Sequence, residues 1–378
     1  MSTDVVVRPV KSGADLKLFI AFPYALHRGD PMWVPPLRME IRKLLSRKKN
    51  PFFQRNEAEY FLALRKAAGQ AEKHYRPSRP PFRPSKLPTV REGGEKWEIL
   101  GRIAAIHNRA HNEAHEDSVG FFGFFECVED QGVAEAMFAT AGDWLRNRGL
   151  TTIRGPTSFS TNDECGLLVD GFNTPPTVMN PHNPSYYVEL VERAGFSKAM
   201  DLFQYQTVNP RLPEKLVDRV KRVLEHKNIR LRTLDMKHFV VEIEKIKAIY
   251  NRAWEKNWGF VPMSDDEIDH LAAQLKPVVE PELVMFVEQE GKPIGFAAVL
   301  PDFNVALKKN PSGRLFPGIV KVLLAARKIK RIRILLLGLL KEYRGIGADV
   351  VMYHWICLLY TSPSPRDRSA YLVCRLLL

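Results

Sequence analysis

EYRGIGAD, residues 342–349, sets one arginine, two glycines and an alanine where a strand gives way to a helix. A diphosphate needs several backbone N–H donors converging on it. Such donors converge at a helix N-terminus preceded by a glycine turn. Gly345 and Gly347 let the backbone approach closely and take up positive φ, and Arg344 adds charge near the phosphates. Asp349 stands close to that anion unless it turns away as a helix cap. The stretch reads as a phosphate-cradling turn.

Other residues are spaced for chemistry as well. HNRAHNEAH puts His107, His111 and His115 at i, i+4 and i+8, the spacing of helical metal ligands. The stretch connects two strands, however, and is expected to be a polar hairpin loop whose three rings share no face, with no metal bound. The four cysteines, Cys127, Cys165, Cys357 and Cys374, form no CxxC pair. Asp163 and Glu164 beside Cys165 would make its thiol a poor nucleophile. GPTSFSTNDECG, residues 155–166, is dense in hydroxyls and carboxylates; it reads either as a site for a polar acceptor or as a turn network that satisfies itself. From Lys308 to Arg333 there are nine basic residues and no acidic one, which attracts the phosphates of a nucleotide cofactor, nucleic acid or an anionic lipid surface. Inside this run, LFPGIVKVLLAARKIKRI reads as an amphipathic basic helix, either a lid over the cofactor or an element lying on a membrane surface.

These groups need a scaffold. A chain of 378 residues suggests two domains, and 45% hydrophobic with 26% charged residues is ordinary globular composition, carrying a net charge of +13. The N-terminus has no secretory h-region, and the longest apolar run, ILLLGLL, is too short to span a bilayer, so a cytoplasmic location is expected. DVVVRPV, AEYFLALR, WEILGRIAAIHN, VGFFGFFECVE, TTIRGPTS and MDLFQYQTV read as strands, the last closing the first half. SGADLKLFIAFPYALHRG, RMEIRKLLSRKKN, GVAEAMFATAGDWLRNRG and NPSYYVELVERAGF read as helices. The Pro- and Arg-rich segment within 66–98, with Tyr75 and Phe82, reads as a disordered insert; nucleic-acid contact is the other option for it. After a linking helix the order begins again: strand IRLRTLDM, two helices, a hairpin turned at Glu290-Gly291, strand RIRILLLGL, and a helix from GADVVMYHWI.

The repeated order resembles the GNAT acyltransferase fold, here mixed α/β and twice over. LLGLLKEYRGIGAD is similar to that family's pantetheine strand and pyrophosphate loop, whose pattern is Arg/Gln-x-x-Gly-x-Gly/Ala. Arg344 and Gly347 match, while Asp349 stands where the final small residue belongs. GDPMWVPPLRMEI, NPFF, GRIAAIHNRAHNEAH, GFFGFFE, RGPTSFSTNDECGLLVDGF, NWGFVPMSDDEI and GFAAVLPDFN together resemble a bacterial GNAT-like subgroup carrying two such domains. The resemblance implies an N-acyltransferase using acetyl-CoA or another acyl-CoA, held by Leu339, Leu340, Arg344, Gly345, Ile346, Gly347, Ala348 and Asp349. A small-molecule amine would attack the thioester directly, with Glu288 and Asp302 as candidates for the general base. The first half departs from the family. It has only Gly132 in place of the loop, and Val191 stands where many members carry an acid tyrosine, although Tyr187, one turn earlier, can reach inward.

The expected organisation is a degenerate GNAT-like domain over 1–208, a linking helix over 209–227 and an acyl-CoA-binding domain over 228–356. Residues 357–378 resemble translated sequencing-adapter DNA: CLLYTSPSPRD and YLVCRLLL are what successive stretches of such an adapter encode in one frame. On that reading the second domain is cut inside the helix after its cofactor loop and the chain is inactive. The alternatives are a non-catalytic acyl-CoA-binding scaffold and a peripheral membrane or nucleic-acid binder acting through residues 308–333. No nucleic-acid partner is expected under the acyltransferase reading.

Overall fold

The computed structural model describes residues 5–67, 86–208, 213–277, 279–361 and 371–376. The chain divides into two compact units, one of residues 1–200 with 307–322, the other of residues 201–306 with 323–378. Its fold is mixed α/β, with two six-stranded sheets.

The first unit runs β1 (Val5–Pro9), α1 (Gly13–Leu26), α2 (Arg38–Leu44), β2 (Glu57–Lys66), β3 (Thr89–Glu92), β4 (Glu95–His107), α3 (Arg109–His115), β5 (Val119–Cys127), α4 (Gln131–Arg146), β6 (Thr152–Arg154) and α5 (Tyr186–Arg193). The sheet order is β1-β2-β4-β5-β6, with β3 hairpinned onto β4 and only the β5–β6 pair parallel. Ser12 and Asp15 close a capping box that starts α1. Gly149, at φ 77°, lets the chain turn after α4. Phe19, Phe22, Phe122, Ile103 and Met137 lie in the core between helices and sheet.

The rest of the chain runs β7 (Phe203–Val208), α6 (Glu214–His226), β8 (Ile229–Thr233), α7 (Phe239–Trp254), α8 (Asp265–Leu275), β9 (Val284–Gln289), β10 (Lys292–Pro301), α9 (Asn304–Leu307), α10 (Gly318–Ala326), β11 (Arg331–Leu339), α11 (Ala348–Thr361) and β12 (Tyr371–Leu376); all of it belongs to the second unit except residues 307–322, which count with the first. The order in the second sheet is β7-β12-β11-β10-β9-β8, again with one parallel pair, β11–β12. The β9–β10 hairpin turns at Glu290 and Gly291, both at positive φ.

Several expectations change. HNRAHNEAH is not a hairpin loop: Asn108 caps the turn of helix α3, because its side chain accepts from the His111 N–H. The segment 66–98 is structured from Thr89 onward as the β3–β4 hairpin; Tyr75 and Phe82 lie outside the described residues. MDLFQYQTV does not close the first sheet but pairs with β12 in the second. Within residues 357–378, α11 runs to Thr361 and β12 pairs with β11. The long basic helix is shorter than expected. It begins at Gly318, and the residues before it form a loop in which the Gly313 carbonyl accepts from the Arg38 N–H.

Candidate active site

The glycine turn over 345–347 forms in the second unit. Gly345 (φ 81°) and Gly347 (φ 92°) take up the left-handed backbone that glycine tolerates, and α11 starts directly after them. Gly347 also lies against α6: a Cβ there would stand 2.8 Å from Val223 and 3.7 Å from the Arg219 Nε. Leu339, Leu340 and Ala348 are buried, Ile346 is half-buried and Asp349 is exposed. Arg344 is spent locally. Its Nη2 donates to the Ala253 carbonyl at 2.6 Å and its Nε to the Leu339 carbonyl at 3.4 Å, which fastens the loop to the end of α7.

Arg219 comes beside the loop from α6, which the sequence presented only as a linker. Arg219, Arg222, His226 and Lys227 line an open hollow of about 430 Å³ with Val223. β12 pairs with β11 only over Arg331–Ile334, so the β11 edge over 335–339 has no strand beside it on that side among the described residues. An extended ligand arm can lie there as an added strand, and a helix N-terminus with neighbouring guanidinium groups suits a diphosphate.

The two carboxylates proposed as bases are engaged elsewhere. Glu288 Oε1 accepts from Arg232 Nε at 2.6 Å, and Arg232 also binds Glu242. Asp302 is fully buried and ion-paired with Arg331. His111 and His115 stack with ring centroids 4.4 Å apart, and His111 Nε2 lies 3.3 Å from Asp117 Oδ2. Among the described residues no three His, Cys, Asp or Glu side chains are grouped to hold a metal. GPTSFSTNDECG satisfies itself: Ser158 N–H donates to the Glu164 carbonyl, Gly166 N–H to the Pro156 carbonyl and Asn162 N–H to Ser160 Oγ.

The densest acid–base cluster lies in the first unit, and sequence reading found only its tyrosine. Glu126, on β5, faces Arg102 across the β4 ladder, and a bulge at Phe124 (φ 49°) precedes it. Its Oε2 lies 2.7 Å from His27 Nε2 and accepts from the Tyr187 hydroxyl at 2.8 Å; Arg102 stands 3.6 Å from Oε1. The Tyr187 oxygen in turn accepts from the Cys127 N–H at 2.8 Å. Burial works to raise the Glu126 pKa, but His27, Arg102 and the Tyr187 hydroxyl outweigh it and hold the carboxyl below its usual value. Burial, then the Glu126 charge, pushes Tyr187 well above its ordinary value, so it stays a donor. Beside this, His182 Nε2 lies 2.7 Å from Asp30 Oδ2, and the His182 Nδ1 is buried without a partner. Trp33 stacks on His27. Tyr24, His27, Arg28, Asp30, Trp33 and Arg38 are among the residues that line a hollow of about 580 Å³. The one available signal was Glu126 itself, an acid inside the apolar run VGFFGFFEC. Its partners are scattered from residue 27 to residue 187.

No known family profile matches the chain. It is 37% identical over 360 residues to the bacterial ceramide synthase of Caulobacter vibrioides, spanning 94% of this chain and 85% of that protein. It is 33% identical over 348 residues to protein YghO of Escherichia coli K12, spanning 90% of this chain and 80% of that one. Among solved structures it aligns, at 10% identity and a TM-score of 0.48, with a GCN5-related glucosamine N-acetyltransferase region of a fungal multi-domain β-N-acetylglucosaminidase, over 99% of this chain and 35% of the other. Identity of this extent over nearly the whole chain places the protein in the family of the bacterial ceramide synthase and YghO.

Proposed function

We propose that this protein is a GNAT-like N-acyltransferase that moves an acyl group from its CoA thioester to the amino group of a long-chain lipid amine. The observation that carries this reading is the family membership, 37% identity to a ceramide synthase across 94% of the chain. A ceramide is an amide-linked lipid, so the acceptor is a lipid amine and a long acyl chain is preferred over acetyl. The amine nitrogen forms the C–N bond, the C–S bond breaks, and CoA leaves as the thiol while the nitrogen loses its proton.

The chain's own groups suit these tasks. The Gly345–Gly347 turn and the α11 N-terminus suit the diphosphate, with Arg219 of α6 beside them. The first unit carries an acid–base cluster of its own, in which His27 is positioned to take a proton. Glu126 orients its ring and stabilises the imidazolium that forms, while the protonated Tyr187 holds that carboxylate in place. The test is mass spectrometry after incubating the chain with palmitoyl-CoA and sphinganine. An N-palmitoyl product that forms faster than the N-acetyl product from acetyl-CoA is expected. Acyl-CoA binding without any amide product would make the protein a non-catalytic binder instead.

A further inference from the structure

We infer that α10 is a wedge that seats the protein on an anionic lipid surface. Four large apolar side chains stand in water here: Phe316 (73% exposed) in the turn before the helix, then Val320 (53%), Leu323 (60%) and Leu324 (58%). Val320, Leu323 and Leu324 fall at i, i+3 and i+4 and so share one face of the helix, with Phe316 in the turn that leads into it. The opposite face is anchored, because Gly318 and Val322 are buried and Gly318 lies so close to Asn310 that a Cβ would meet it at 2.3 Å. Exposed apolar side chains in one contiguous ridge mark an interaction surface.

Charge selects the occupant. Arg314, Lys321, Arg327 and Lys328 are exposed around the ridge and none of them is ion-paired among the described residues. Arg331 is not part of this set, since it pairs with Asp302, and Arg333 is buried. No acidic residue occurs from 308 to 333. A second copy docked ridge to ridge would bring these like charges together. Anionic headgroups neutralise them while the acyl region takes the ridge. Nine residues make a helix about 13 Å long, which suits lying in the interface rather than crossing it. This inference stands without the acyl-transfer reading.

Sedimentation with vesicles tests it. The full chain should pellet with phosphatidylcholine vesicles containing phosphatidylglycerol, remain in solution with phosphatidylcholine alone, and be released by high salt. Leu323→Glu with Leu324→Glu should weaken binding by at least about tenfold. Lys321→Glu and Arg327→Glu should each weaken it by about fivefold or more. All these side chains are exposed, so thermal melting should match the parent and exclude misfolding as the cause. The inference is overturned if the parent ignores anionic vesicles, if the ridge variants bind them like the parent, or if Leu324→Glu only dissolves a concentration-dependent dimer.

Discussion

Both units contain, in order, a strand, two helices, an antiparallel strand pair, a further strand and a helix, yet they treat the step into that last helix differently. In the first, the step from β5 to α4 ends in Asp130, whose carboxylate accepts from the Val133 N–H and pairs with Arg65. The edge of β5 beyond β6 is also covered, since the Thr157 N–H donates to the Phe122 carbonyl. Gly123 permits this approach: a Cβ there would meet the Thr157 oxygen at 2.1 Å. In the second, the step from β11 to α11 is a glycine turn, no side chain caps α11 among the described residues, and the corresponding edge of β11 stays open. A helix start on this topology is therefore left open or filled by a few residues. The first unit has filled its own and placed its polar chemistry one strand face away, at Glu126.

The largest effect should come from breaking that cluster. Glu126→Ala leaves His27 and Arg102 buried without their acid, which should cost roughly 3–5 kcal/mol, read as a drop in the melting temperature. Glu126→Gln keeps the shape and most hydrogen bonds. It should melt much closer to the parent yet lose N-acyl product, because a neutral amide cannot stabilise a protonated His27. Equal losses of stability and turnover in both variants would reduce the cluster to a structural role.

On the other side of the comparison, Gly347→Ala should strain the turn by about 1–2 kcal/mol and lower acyl-CoA affinity about tenfold, measured by calorimetry. Arg344→Gln should chiefly loosen the loop, because its guanidinium already binds two carbonyls. Unchanged acyl-CoA affinity in Gly347→Ala would remove the turn from the site.

What the sequence made legible was local. The capping boxes at Ser12 and Ser264, the Glu290-Gly291 turn and the glycine loop each depend on residues within four of one another. The helix over Arg109–His115 was hidden because strand-like residues flank it and its cap, Asn108, resembles a turn residue as much as a cap. Strand β7 reads in the sequence as the close of the first half, since its alternation FQYQTV fits either sheet and its partner lies more than 160 residues away. The Glu126 cluster draws on α1, β4, β5 and α5, which only the folded sheet brings together.

Mild acid should separate the units. Burial, aided by the neighbouring His115, pulls His111 down to about 4 from 6.5 against the opposing pull of Asp117. Its folded value lies below its unfolded one, so the unfolded chain binds the extra proton. Stability from keeping it neutral is complete above 6.5 and is lost as pH falls toward 4. The first unit should therefore melt earlier as the buffer is taken from pH 7 to 5, and His111→Phe should flatten that dependence, as followed by calorimetry.

The smallest effect asks whether the filled site can be reopened. Asp130→Ala removes a helix cap and an ion pair with Arg65, and should cost about 1 kcal/mol. If the carboxylate alone kept anions out, the variant would gain a second acyl-CoA site in calorimetry. No gain is expected: the Thr157 segment still covers the edge of β5, and Gly132, at the second position of α4, makes no turn like that of Gly345 and Gly347. A stoichiometry that stays unchanged in Asp130→Ala and drops in Gly347→Ala would assign acyl-CoA to the second unit. A rise in Asp130→Ala would mean that the two helix starts differ by one side chain only.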